Sequence, residues 1–104
     1  MNTNALIAAA RFHALAASAA ANGGFWVSAG GGTANVVAGE IARATGAPFD
    51  EAHHALDVTG GEDWCARLAY AQPWAVDAWH DGVPGRWDAR TIARAACRPV
   101  RVAA

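Results

Sequence analysis

The sequence predicts an all-α protein, a compact bundle of five to six short helices. Three observations carry that expectation. Apolar residues recur at helical spacing in segment after segment. Glycine, proline and Asn/Asp residues punctuate those segments where helices start and stop. No stretch offers a convincing strand pair, and no internal repeat is present. At 104 residues the chain reads as a single domain with a thin margin of buried surface. The hydrophobic share is 54%, yet much of it is alanine, which favours helix and buries little area. Five Trp, three Phe and one Tyr must therefore carry much of the core. Each contributes roughly 2–3 kcal/mol if buried.

The first helix is predicted from about residue 4 to 21, with Asn4 as N-cap and Asn22-Gly23 as the stop. Ala8, Phe12, Leu15 and Ala19 form its inward stripe. A glycine-rich hinge spans 23–32, where Phe25-Trp26-Val27 forms a brief extended segment or one helical turn. A second helix runs from Thr33 to Thr45 and stops at Gly46, with Val36, Val37, Ile41 and Ala44 inward. A third begins near Pro48, a residue suited to the first helical turn, and ends at Gly60-Gly61. Asp50 and Glu51 lie at its positive end, and Phe49, Ala52, Leu56 and His53 face inward. Thr59-Gly-Gly-Glu62 fits a capping box for a fourth helix carrying Trp64, Leu68 and Ala71, ended by Pro73. A short helix over 74–79 follows. The last helix starts at Asp88 and turns Ala89, Ile92, Ala93, Ala96, Cys97 and Val100 inward. The core role expected of Trp74, Trp79 and Trp87 follows from the shortage of other large apolar residues.

Charge is uneven along the chain although the net is −1. Residues 1–39 hold no acid, acids dominate from Glu40 to Asp81, and five of eight arginines lie beyond residue 82. Lysine is absent. Arginine-only basicity with heavy Ala and Gly usage fits a GC-rich bacterial or phage genome. Cys65 and Cys97 are too few for a disulfide framework and lack CxxC spacing, so they read as reduced thiols. The apolar run from Ala5 to Ala21 follows a leader without positive charge and is interrupted by Arg11 and His13. The expectation is a cytoplasmic protein with no membrane span.

The central stretch, residues 37–71, resembles the ubiquitin-associated-like (UBA-like) three-helix domain. The version at the N-terminus of bacterial elongation factor Ts is the nearest likeness. The residues that carry it are Thr45-Gly46-Ala47, Ala55-Leu56, Gly60-Gly61-Glu62-Asp63 and the segment from Trp64 to Tyr70. On this division the chain holds an Ala-rich helix (1–22), the hinge (23–32), a UBA-like core (33–72) and Trp/Arg-rich C-terminal helices (73–104). The resemblance implies docking rather than chemistry. It places the contact patch at Gly46, Pro48 and Phe49, with Leu68 and Tyr70. The Met-Gly-Phe loop common in such domains is absent, so ubiquitin binding is not implied. Nothing downstream is similar to the nucleotide-exchange parts of elongation factor Ts.

Other residues are weighed by chemistry. His53 and His54 point about 100° apart on a helix, so they do not converge with Cys65 on zinc. Asp57 shares a face with His53. Cys65 lacks an orienting group for nucleophilic catalysis, and Asp77, His80 and Asp81 fit ordinary helix-end chemistry. Gly30-Gly-Gly-Thr33 lacks the Lys of a phosphate loop. No catalytic residue, metal ligand or cofactor is expected. Arg86, Arg90, Arg94 and Arg98 form a stripe suited to phosphates or an acidic surface, or to the acidic middle of the same chain. The resulting expectation is a non-catalytic protein-binding module, a small inhibitor that occupies a partner protein's surface. Phe49 and an exposed indole would anchor it, and Asp50, Glu51, Asp57 or the arginines would steer it. The alternative is a small nucleic-acid-binding protein that uses the arginine stripe.

Overall fold

The computed structural model describes residues 2–21, 25–26, 32–61, 63–65 and 87–102, with the backbone alone at 19–21, 25–26, 87–88 and 99–102. Four helices are present among them: α1 (Thr3–Ala21), α2 (Thr33–Thr45), α3 (Phe49–Gly60) and α4 (Ala89–Val102). The all-α class holds. The expected helices over 62–72 and 74–79 lie outside the described residues, except that Trp64 and Cys65 are helical.

Each of α1 and α2 packs against both α3 and α4, which puts α3 and α4 at opposite corners of the bundle. The radius of gyration is 12.9 Å, matching the roughly 13 Å of a compact chain this long. The core is narrow and rich in alanine. Phe12, Ile41, Leu56 and Val37 are its largest fully buried side chains, and Ala5, Ala8, Ala9, Ala38, Ala52, Ala55, Ala93 and Ala96 fill the rest. Small side chains let the helix backbones approach closely and leave aromatic residues to fill the remaining gaps. Trp64, 3% exposed, does so by packing edge-on to Phe12 at 5.6 Å.

Helix ends follow local chemistry. Gly46 takes φ 76°, and its N–H reaches the Ala42 carbonyl at 2.9 Å, closing α2 as the sequence predicts. α3 starts behind Pro48, whose carbonyl accepts the Ala52 N–H, and carries Asp50 and Glu51 in its first turn. Gly61, at φ 89°, ends it.

Several expectations are corrected. The cap of α1 is Asn2, not Asn4: Asn2 Oδ1 accepts the Ala5 N–H at 3.0 Å, and Asn4 is already in the helix. The inward stripe of α1 runs through Ala5, Ala8, Ala9, Phe12 and Ala16, so Leu15 falls on its edge and is exposed. Phe49 is 43% exposed rather than inward, because it begins α3 before that helix reaches the core. Thr59 does not open a capping box. It lies inside α3 and donates its hydroxyl back to the Ala55 carbonyl at 2.7 Å. A strand pair exists after all: Phe25–Trp26 (β1) and Trp87–Asp88 (β2) are parallel neighbours, with Phe25 opposite Trp87. Two residues per strand carry too little alternation to be read as a pattern. No helix among the described residues is long and apolar enough to cross a membrane.

Candidate functional site

The arginines of α4 recur every four residues, a rise of about 6 Å per step. Ala89, Ile92, Ala93, Ala96 and Cys97 turn into the core. Arg90, Arg94 and Arg98 are consequently left exposed on the other side of the helix. Where α4 lies along α2, two recesses open between them. One, of about 490 Å³, is lined by Glu40, Arg43, Ala44, Arg94, Cys97 and Arg98. The other, of about 420 Å³, is lined by Asn35, Val36, Gly39, Glu40, Arg43, Arg90 and Arg94. They share Glu40, Arg43 and Arg94 and form one trough.

Glu40 is the floor of this trough. It is 8% exposed, while the guanidinium-bearing side chains around it stay more than half exposed. Arg43 Nη1 donates to Glu40 Oε2 at 3.2 Å, and Arg94 Nε donates to Oε1 at 3.3 Å. Arg90 Nε lies 3.7 Å from the same Oε1. The Cys97 thiol points at the Glu40 carbonyl at 3.9 Å. Three guanidinium groups thus lie within 4 Å of one carboxylate, Arg98 lines the same trough, and among the described residues the lining holds more positive than negative charge. Burial of Glu40 without such partners would be strongly unfavourable. Its ion pairs with exposed arginines are individually modest, roughly 0–1 kcal/mol each.

The arginine stripe therefore pairs with its own chain, but through α2 rather than through the acidic α3. The acidic helix α3 packs mainly on α1 and α2. Glu40 and Arg43 are the trough residues that sequence reasoning passed over. The available signal was Glu40 itself, three residues after Val37 and four before Ala44. That is an acid standing on an otherwise apolar stripe.

The α3 surface has a different character. Gly46, Pro48, Phe49 and Asp50 are exposed at the α2–α3 junction. Glu51 accepts the Asn2 backbone N–H at 2.9 Å. Asp57 is held by Trp64 Nε1 at 3.1 Å and faces His53 Nδ1 at 3.5 Å. Intrachain contacts thus engage Glu51 and Asp57, leaving Phe49 and Asp50 as the outward features. Leu68, Tyr70 and Arg86, together with Asp77, His80 and Asp81, lie outside the described residues.

Chemistry at the remaining candidates is limited by placement. No group of three or more His, Cys, Asp or Glu could hold a metal ion among the described residues. The Cys65 thiol is pushed up to about 11, first by burial, then by the nearby Asp57 charge, against a smaller opposing hydrogen bond with the Ala34 backbone. A thiol so held keeps its proton at neutral pH and is a poor nucleophile. No family model, curated protein or solved structure matches this chain.

Proposed function

We propose that this chain is a non-catalytic protein-binding module, a single domain of bacterial or phage origin working in the cytoplasm. It acts by occupying an acidic surface of another protein, as a small inhibitor would. The observation that carries this reading is the trough between α2 and α4, whose described lining sets Arg43, Arg90, Arg94 and Arg98 against a single carboxylate, Glu40. Exposed guanidinium groups held on two rigid helices suit carboxylate recognition better than flexible lysines would. The UBA-like reading of the centre points the same way. Its support is the run of buried Ala55, Leu56 and Trp64 behind a junction where Gly46, Pro48 and Phe49 are exposed and Ala47 is buried, which would act as an auxiliary contact.

Nucleic acid is the weaker fit. A net charge of −1 supplies no long-range attraction for a polyanion. A carboxylate on the trough floor opposes a continuous phosphate track. The test is cross-linking in lysate followed by mass spectrometry, comparing the wild type with Arg94→Glu/Arg98→Glu. A partner with an acidic surface that is captured by the wild type and lost by the variant is expected. Capture that is indifferent to these charges would refute the reading.

A further inference from the structure

The trough has a shape as well as a charge. Arg90, Arg94 and Arg98 stand about 6 Å apart along α4. An extended peptide advances about 6.4–6.8 Å every two residues. Side chains at alternate positions of a strand-like segment would therefore meet successive arginines. Across from them, on α2, Val36 and Ala44 add apolar surface to the lining of the trough.

Glu40 adds a second observation. Arg90 and Arg94 both approach it through Nε. A guanidinium has five N–H donors, so this edge contact leaves the Nη groups for another acceptor. Arg98 lines the trough without a carboxylate partner among the described residues.

We propose that the trough binds an extended acidic segment with carboxylates at every second residue, and that Glu40 is an internal stand-in for one of them. This rests on the protein-docking reading above. Glu40 neutralises part of the site in the free protein, so its charge weakens the incoming segment. Arg98, whose charge no carboxylate offsets among the described residues, is the strongest single anchor.

The test is fluorescence anisotropy with the full chain at low salt and three probes. One is a short peptide with glutamate at alternate positions, and the second has the same composition with its glutamates contiguous. The third is a single-stranded oligonucleotide of equal charge. The alternating peptide is expected to bind about tenfold tighter than either other probe, a difference of about 1.4 kcal/mol. Glu40→Gln should tighten it further, and Arg98→Ala should weaken it by about tenfold. Added salt should erase most of the binding. Circular dichroism on each variant checks that the fold persists. Because Arg98 is exposed, its variant keeps the test decisive if Glu40→Gln unfolds. Equal binding of the contiguous peptide, or weaker binding by a folded Glu40→Gln, would overturn this proposal while leaving the docking reading intact. Binding of the oligonucleotide alone would overturn both.

Discussion

Cys65 shows how one side chain's surroundings set its chemistry. Its thiol sits half-buried beside Asp57, and both burial and that charge favour the neutral form, raising its pKa from 9.0 to about 11. The consequence for stability has a definite sign. Below pH 9 the thiol is protonated in both folded and unfolded chains, and its full contribution is present. Between 9 and 11 the unfolded chain releases the proton while the folded chain retains it, so stability falls as pH rises. Urea unfolding of the wild type and of Cys65→Ala from pH 8 to 11 isolates this contribution from other groups that titrate there. The wild type should lose stability relative to the variant across that window. A difference independent of pH would show that the thiol is not held in its neutral form. Alkylation of Cys65 at pH 8 should likewise be slower than that of a free cysteine.

Helix α1 docks on α3 through a contact that only one residue type permits. His13 Nε2 lies 2.9 Å from the Leu56 carbonyl, which can only accept, so this nitrogen carries the proton. The imidazole lies against the backbone of Gly60, where a side-chain methyl would overlap the ring, and edge-on to Trp64 at 5.1 Å. Gly60→Ala should therefore cost about 1–3 kcal/mol by overpacking, measured by urea denaturation. His13→Ala would make room for the new methyl, so the double variant should lose less than the sum of the singles. Strict additivity would mean that the ring and the glycine do not interact. Such contacts mark the boundary of what the sequence could show. The limits of α2 and α3 were legible because Thr45-Gly46 and Gly60-Gly61 write them locally. The inward face of α4 was legible from period, and so were Val37 and Ile41 on α2, whereas Val36, also expected inward, lines the trough. By contrast, Leu15 and Phe49 were misplaced because an alanine-rich stripe leaves the direction of a helix's inward face poorly marked. The trough was half legible. The stripe on α4 is visible at four-residue spacing, but its alignment with Glu40 and Arg43 depends on how α2 and α4 pack, which no local pattern encodes.

For the whole molecule, the alanine-rich core sets both strength and cooperativity. Few large side chains are fully buried, and Phe12 on α1 is foremost among them. A chain of this length is stable by about 5–15 kcal/mol in total, while Phe→Ala in a core costs about 3–5 kcal/mol. Phe12→Ala should therefore remove a large share of the stability. The helices α1 and α2 each join α3 to α4, so no pair of helices has a core of its own to fall back on. Loss at Phe12 should then be felt on α4, where the buried Cys97 thiol reports opening. Helix content by circular dichroism and Cys97 labelling in Cys65→Ala should show one shared midpoint in urea. Phe12→Ala should move both by the same amount. If Cys97 became reactive at a lower denaturant concentration, and did so regardless of Phe12, α4 would be a separately opening unit. The arginine trough, built on the α2–α4 junction, would then lose the rigidity that presents its guanidinium groups.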